Sequence, residues 1–132
     1  MPRVDRAINI DDLRRLAQRR LPRPIFDYID GGADDEQALA NNAGAFGRYQ
    51  IVPDRLVDVS TLRTGARLFG QPAAWPLMLA PTGLTRMFHP GAEVAVARAA
   101  ARHGLPYALS TMGTTRIEDW AQEFAGPRVF QI

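Results

Sequence analysis

The segment Trp75-Pro76-Leu77-Met78-Leu79-Ala80-Pro81-Thr82-Gly83 is a short apolar run that stops in a Pro-Thr-Gly turn. An apolar run of about four to eight residues bounded by Pro and Gly is typical of a buried strand. The turn behind such a strand exposes backbone N–H and C=O groups, which a ligand can use. We therefore predict a buried strand over residues 76–80 and a ligand-binding turn over residues 81–83.

The residues after this turn predict a helix and a second strand. His89-Pro90-Gly91 precedes an alanine-rich helical pattern that ends at His103-Gly104, and residues 106–110 form the next short apolar run, closed by Ser110. A strand, a helix and a strand within about thirty residues make a βαβ unit, in which the two strands are parallel.

A second unit of the same kind follows. Apolar residues recur at helical spacing from Ile117 to Phe124, Gly126-Pro127 ends that pattern, and residues 128–132 predict a third strand. Thr115 and Glu118 have the spacing of a capping box at the start of this helix. Three parallel strands joined by two helices favour an α/β fold, either the start of a (β/α)8 barrel or a doubly wound sheet, and both place ligands at the carboxyl ends of the strands.

The N-terminal half is predicted to be helical first and irregular afterwards. Asn9 is a plausible cap for a helix over residues 10–20, Pro24 fits the first turn of a short second helix that ends at Gly31-Gly32, and a third helix is predicted over residues 34–46. Residues 67–71 predict half of a small hairpin. We expect residues 1–132 to be a single partial domain, with helices and hairpin in 1–75 and the first β/α units in 76–132.

Composition excludes several classes of chemistry. The chain has 132 residues, 46% of them hydrophobic, contains no cysteine, and all 16 of its basic residues are arginine. Disulfides, zinc–thiolate sites, thiol nucleophiles, Schiff-base lysines and the lysine of a phosphate-binding loop are therefore excluded from it. No apolar run approaches the roughly 18 to 20 residues that span a bilayer, and the start lacks the apolar core of a signal peptide, so we expect a cytoplasmic protein.

Arginine is concentrated near the start of the chain. An arginine-rich amphipathic start can be a targeting sequence, a nucleic-acid patch or the solvated face of a helix. Acidic residues interrupt the cluster and its members fall mostly on one side of the predicted first helix, so we favour the solvated face and expect no nucleic-acid partner. The cluster comprises Arg3, Arg6, Arg14, Arg15, Arg19, Arg20 and Arg23.

Three side chains could have either a functional or a structural role. Tyr28 lies in the short second helix, beside acidic and glycine-rich neighbours, where its hydroxyl either faces a cavity or belongs to a core tyrosine. His89 and His103 lie at the two ends of one predicted helix, and we interpret both as helix-end residues. Two histidines without a cluster of partners predict no metal site.

The segment Phe26-Asp27-Tyr28-Ile29-Asp30-Gly31-Gly32-Ala33-Asp34-Asp35-Glu36 resembles a signature of the FMN-dependent α-hydroxy-acid dehydrogenases and oxidases, a family that includes glycolate oxidase, L-lactate dehydrogenase and mandelate dehydrogenase. The order and spacing of the further matches make the resemblance specific over essentially the whole chain. They are Arg55-Leu56-Val57-Asp58-Val59-Ser60, Ala80-Pro81-Thr82-Gly83-Leu84, His89-Pro90, Ala97-Arg98-Ala99-Ala100, Leu109-Ser110-Thr111, Ile117-Glu118-Asp119 and Phe130-Gln131.

The resemblance implies a fold, a cofactor and a set of site residues. It implies the first three strands of a (β/α)8 barrel, preceded by an N-terminal helical segment, and FMN as cofactor. The flavin would be held by the backbone of the turn and by two polar side chains at strand ends, and the hydroxy acid by a tyrosine hydroxyl and a pocket residue. The cofactor-binding positions are Pro81, Thr82, Gly83, Ser110 and Gln131, and the substrate-binding positions are Tyr28 and Met112.

The resemblance also implies which functional residues lie outside residues 1–132. In the family the catalytic histidine, a flavin-contacting lysine and the carboxylate-binding arginines follow the region that matches this chain, so we expect no catalytic residue and no activity in residues 1–132 alone. We therefore expect the N-terminal portion of an enzyme that oxidises an L-2-hydroxy acid and forms a homo-oligomer, a tetramer, with any membrane association made through a downstream segment. The alternative is a truncated, inactive relic or an interaction module of the same fold.

Overall fold

The computed structural model describes residues 4–132, which form two compact units divided between Val57 and Asp58. Arg3, predicted to belong to the arginine cluster, lies outside the described residues. The single partial domain expected for residues 1–132, with its division near residue 75, stays a prediction. In the described part of the chain, no helix combines the length and the apolar character needed to cross a membrane.

The first two helices of the N-terminal unit follow their predictions. Helix α1 spans Ile10–Arg20, and its cap is Asn9, whose side chain accepts a hydrogen bond of 2.8 Å from the backbone N–H of Asp12. Helix α2 spans Arg23–Asp30, with proline in its first turn. The Arg14 guanidinium binds the Asp30 carboxylate through two hydrogen bonds, which fasten α1 to α2.

Helix α3 is shorter than predicted. It spans Gln37–Ala45 and is followed by a 3-10 turn over Phe46–Arg48. Its predicted start at residue 34 is wrong because Asp34 and Glu36 have φ values of 50° and 57°, in the left-handed region, where a helix cannot continue. Glu36 instead accepts a hydrogen bond of 3.0 Å from the N–H of Gly32 and closes a turn before the helix.

The C-terminal unit begins with the predicted hairpin. Strand β1, Ala66–Leu68, pairs antiparallel with strand β2, Gln71–Ala73. The two turn residues, Phe69 and Gly70, have φ values of 52° and 73°. Positive φ at both central residues matches the twist of the paired strands, which explains why glycine stands at the second position.

The parallel strands and their helices are confirmed. Helix α4 spans Ala92–Arg102, strand β3 Tyr107–Ser110, helix α5 Ile117–Glu123 and strand β4 Arg128–Gln131. Strands β3 and β4 are parallel neighbours, and Leu79 forms a parallel bridge to the first residue of β3. The chain therefore folds as successive β/α units whose strands run in one direction.

The first of the three predicted strands is neither long nor buried. Only Leu79 pairs: its N–H donates to the carbonyl of Pro106, and its own carbonyl accepts the N–H of Ala108. Trp75 and Leu77 are 56% and 51% exposed. The prediction of a buried strand over residues 76–80 was wrong because, in the part of the chain that the structure describes, this segment has one neighbour and no opposing wall.

One apolar cluster supports the C-terminal unit. Alanines on α4 allow the helix to lie close to β3, where three aromatic rings pack with centroids 5.6 to 6.2 Å apart. The Trp120 and Phe124 rings come from α5 and the residue that ends it, and the Tyr107 ring comes from β3. The buried members are Ala97, Ala100, Tyr107, Leu109, Trp120 and Phe124.

The start of α5 differs from the predicted capping box. Its cap position is Arg116, which makes no side-chain capping bond. The Thr115 hydroxyl donates instead to the carboxylate of Glu93 on α4, at 2.6 Å. The predicted box fails because α5 begins at Ile117, one residue later than a cap at Thr115 requires, and the Thr115 hydroxyl lies against Glu93.

Candidate functional site

Two polar side chains meet at the carboxyl ends of β3 and β4. Ser110 and Gln131 are register partners at the last positions of the two strands. The Ser110 hydroxyl donates to the Gln131 Oε1 atom at 3.2 Å, and the Gln131 Nε2 atom donates to the Ile132 carbonyl at 2.9 Å. Ser110 is buried and Gln131 is exposed, so the amide group stands at the surface of this edge.

The turn over residues 81–84 joins the same edge. The N–H of Leu84 donates to the carbonyl of Met112 at 2.9 Å, while the N–H of Met112 donates to the Ser110 hydroxyl at 3.1 Å. A methyl group on Gly83 would lie 2.8 Å from the Met112 Cβ atom, so only glycine permits this approach. The structure thus brings together the sequence-predicted positions Pro81, Thr82, Gly83, Ser110, Met112 and Gln131, and we call this set the strand-end edge.

The strand-end edge has unused hydrogen-bonding capacity. Within residues 4–132, the backbone N–H groups of Thr82 and Gly83 donate to no protein acceptor. Thr82 and the Met112 side chain are exposed, the latter by 57%. An edge with free backbone donors, an exposed amide and an adjacent flexible apolar side chain can bind a flat polar ring and an apolar group next to it.

Tyr28 belongs to the N-terminal unit. It lies on α2 and is 62% exposed. The interpretation of Tyr28 as a core tyrosine is therefore wrong, since Phe26 is the buried aromatic residue of that helix. The substrate-binding role of Tyr28 stays a prediction.

The two histidines have local roles at the ends of α4. The Nδ1 atom of His89 accepts the N–H of Gly91 at 3.0 Å, just before the helix begins. His103 follows the last residue of α4, and its N–H bonds to carbonyls of that helix. Both interpretations as helix-end residues are confirmed. Among residues 4–132 no group of three or more metal-ligating side chains comes together.

Sequence reasoning missed Glu93, which lies beside the strand-end edge. It stands in the first turn of α4, is fully buried, and accepts hydrogen bonds from the loop that follows β3. A single acid inside an alanine-rich helix suggests a solvated position. The signal that could have found it is the pair Thr114-Thr115 at the end of the next loop, which offers hydroxyls to a nearby carboxylate.

The surroundings of Glu93 keep it ionised. Burial by itself raises the pKa of this carboxyl, but the Thr115 hydroxyl, the nearby Thr85 hydroxyl and the backbone N–H of Thr114 outweigh burial and lower the pKa to about 2. The buried Thr85 hydroxyl contributes although it makes no well-formed hydrogen bond. Burial, with the Glu93 charge as a second cause, raises the pKa of Tyr107 to about 12.

The family model described as FMN-dependent dehydrogenase matches residues 17–132. A Mycobacterium tuberculosis protein with the provisional name L-lactate dehydrogenase is 48% identical over 117 residues, which are 89% of this chain and 28% of that protein. The (S)-mandelate dehydrogenase of Pseudomonas putida is 40% identical over 94% of this chain and 32% of its own length.

Solved structures agree with these matches. A soluble mutant of the membrane-associated (S)-mandelate dehydrogenase from Pseudomonas putida superposes with a TM-score of 0.89 and 41% identity, covering 94% of this chain and 36% of that one. This chain spans about a third of the length of the relatives it matches.

Proposed function

Since this chain belongs to the FMN-dependent dehydrogenase family, we propose that the whole protein oxidises an L-2-hydroxy acid to the 2-oxo acid with FMN as cofactor. Lactate, mandelate and glycolate are the candidate substrates. Residues 1–132 supply part of the cofactor and substrate site and no catalytic base. The His89 Nδ1 atom accepts the Gly91 N–H, and His103 lies at the end of α4 that leads to the start of β3, away from the strand ends.

The observation that carries this proposal is the donor set of the strand-end edge. A flavin ring presents alternating carbonyl and N–H groups along one side, and the edge offers free backbone N–H groups at Thr82 and Gly83 beside the Gln131 amide. These groups fit the ring in kind, since backbone N–H groups donate to its carbonyl oxygens. The chemistry that FMN supplies when bound is the acceptance of two electrons from the substrate carbon.

Each residue has a task that its chemistry explains. The backbone of Pro81, Thr82 and Gly83 and the side chains of Ser110 and Gln131 bind the ring, and donors placed there stabilise negative charge that develops on it. Met112 fills the substrate pocket next to the ring and shapes the choice of side chain. In the whole protein, the Tyr28 hydroxyl binds the substrate carboxylate.

We propose further that the β/α units begin a (β/α)8 barrel. The parallel strands joined by helices and the gathering of polar groups at their carboxyl ends support this, because barrels place their sites at that end. By the family resemblance we also propose a homotetramer in the cytoplasm, with any membrane attachment made through a segment outside residues 1–132.

The experiment is a Gln131→Leu substitution in the whole protein. Replacing the exposed amide by an apolar group of similar size should lower the flavin absorbance that survives gel filtration, or shift the flavin potential in a redox titration. Gln122→Leu is the matched control, since Gln122 is exposed on α5. Wild-type behaviour of Gln131→Leu in both measurements would remove Gln131 from the site.

Substrate oxidation is tested on the unsubstituted whole protein. Anaerobic addition of (S)-lactate, (S)-mandelate or glycolate should bleach the bound flavin. Addition of (R)-lactate or (R)-mandelate should not. A protein that binds no flavin and bleaches with none of these acids would contradict the proposal and favour the alternative, an inactive relic or interaction module, which no observation in the structure favours.

A further inference from the structure

Glu93 is a buried carboxylate whose well-formed hydrogen bonds come from one loop, the loop that follows β3. We propose that Glu93 is a positioning residue: through residues 111–115 it holds Met112 and the turn over residues 81–84 in the arrangement that receives cofactor and substrate. This inference rests on the proposed function and assigns to that site a residue that touches neither ligand.

Glu93 binds the loop through several hydrogen bonds. The Oε1 atom accepts the Thr114 N–H at 2.7 Å, and the Oε2 atom accepts the Thr114 hydroxyl at 3.0 Å and the Thr115 hydroxyl at 2.6 Å. One carboxylate thus binds the Thr114 backbone and the side chains of both Thr114 and Thr115, and it restrains the end of the loop.

The second step leads from the loop to the turn. Met112, two residues before Thr114, is bonded through its N–H to the Ser110 hydroxyl and through its carbonyl to the Leu84 N–H. Leu84 has a φ of 54°, a left-handed conformation that an L-residue holds only where its surroundings impose it. The Met112 carbonyl is the observed partner of that residue, so the position of the loop determines the shape of the turn.

The third step is that packing alone does not require a carboxylate here. The buried neighbours of Glu93 on α4 are alanines, and an apolar side chain would fill the same space without the cost of burying a charge. Among the described residues no arginine forms an ion pair with Glu93; Arg86 reaches the Thr115 hydroxyl at 3.4 Å instead. The charge is therefore matched by the loop's donors, and its effect is to fix the loop.

The test uses Glu93→Gln in the whole, flavin-loaded protein, with Glu118→Gln as control, since Glu118 is exposed on α5. Glutamine keeps the size of the side chain but turns one acceptor into a donor that faces the Thr114 and Thr115 donors. We expect the FMN dissociation constant to rise about tenfold, the effect of losing one charged hydrogen bond. The ratio of kcat/KM for mandelate to that for lactate should change as well.

A double-mutant cycle identifies the route. If Glu93 acts through Met112, the effects of Glu93→Gln and Met112→Leu on that substrate ratio should be non-additive by at least about threefold, beyond the scatter expected of independent sites. Additive effects, or a lower melting temperature with an unchanged dissociation constant and substrate ratio, would overturn the inference and leave Glu93 a role in stability only.

Two further measurements keep the inference falsifiable. Should Glu93→Gln fail to fold, Thr115→Val removes one of its hydrogen bonds at nearly constant shape, and smaller changes in the same direction are expected. Hydrogen exchange of the Leu84 amide and of residues 111–115 reports the coupling without turnover: both should exchange faster, and acceleration confined to 111–115 overturns the inference.

The two proposals fail differently. Whole protein that binds no FMN and oxidises no hydroxy acid refutes the proposed function, and with it the inference. Active wild type whose Glu93→Gln variant keeps its FMN affinity, its substrate ratio and its exchange rates refutes the inference alone.

Discussion

The two units of this chain are stabilised in different ways. Up to Val57, Phe26 is the one residue that is buried among the described residues. Helices α1 and α2 depend on the Asn9 cap, on proline in the first turn of α2 and on the Arg14–Asp30 pair. From Asp58 onward, helices and strands share an aromatic cluster and a buried carboxylate. The N-terminal unit is therefore specified by local signals, whereas the C-terminal unit depends on contacts between distant residues.

The largest expected effect tests the cluster. Phe124→Ala removes a ring that is 0% exposed and packs on two other rings, so it should lower the free energy of unfolding by about 3 to 5 kcal/mol. Leu13→Ala, on α1 with a 39% exposed side chain, should cost less than about 1 kcal/mol. Urea denaturation of the whole protein measures both. Equal losses would abolish the contrast between the units.

The next effect concerns the pH dependence that Glu93 confers. Its pKa falls from 4.5 to about 2 in the folded chain, so folding is favoured by its ionised form. The contribution is complete above about pH 4.5 and is lost as the pH falls towards about 2, at most about 3 kcal/mol. Urea denaturation between about pH 5 and about pH 2 should show a steeper loss of the free energy of unfolding for wild type than for Glu93→Gln.

Asp30 supplies the comparison in the N-terminal unit. A hydrogen bond from Arg14 lowers the pKa of this carboxyl too, but the guanidinium is largely exposed to solvent. Solvent screening reduces what such a pair contributes. Asp30→Asn should therefore change the acid dependence less than Glu93→Gln does, and the reverse order would contradict our account of the buried carboxylate.

The third effect tests the exposed tyrosine of α2. Tyr28→Phe in the whole protein should raise KM for the hydroxy acid while FMN stays bound, because one hydroxyl that contacts the carboxylate is lost; the expected cost is roughly 1 to 3 kcal/mol. Tyr49→Phe is the control, since Tyr49 is also exposed in the same unit. Unchanged steady-state kinetics of Tyr28→Phe would show that the tyrosine has no part in substrate binding.

The smallest effect tests a local signal directly. Asn9→Ala removes the side chain that caps α1 and should destabilise that helix by about 1 kcal/mol, whereas Asn9→Asp keeps an acceptor and should cost little. Hydrogen exchange of the first turn of α1 is the measurement. If alanine and aspartate behaved alike, the observed cap would contribute nothing.

Much of the fold could be predicted because its signals are adjacent in sequence. The cap at Asn9, the proline in the first turn of α2 and the alanine-rich repeat of α4 each act on neighbouring residues, and these helices lie where they were predicted. The strand-end positions could be predicted by resemblance, and the structure brings six of them together at one edge.

The failures share a physical cause. The helix predicted from residue 34 was wrong because two acids take left-handed backbone, and the buried strand over residues 76–80 because burial depends on neighbours that a strand's own sequence does not supply. The Thr115 hydroxyl binds Glu93 instead of capping α5, and the sequence suggested a solvated position for Glu93. Each failed prediction concerns either a contact between residues more than 20 positions apart or a backbone conformation that composition does not determine.

The order of the parallel strands bears on how this chain folds as it is synthesised. Partners across the C-terminal unit are close in sequence: Ser110 and Gln131 are 21 residues apart, Glu93 and Thr114 also 21, and Arg98 and Glu123 25. Closing loops of this length costs little entropy, and contacts of short range form quickly. Each strand and its helix can thus pack on the preceding pair while the ribosome is still adding the next. The contacts at the strand-end edge then form between residues that have only just been synthesised.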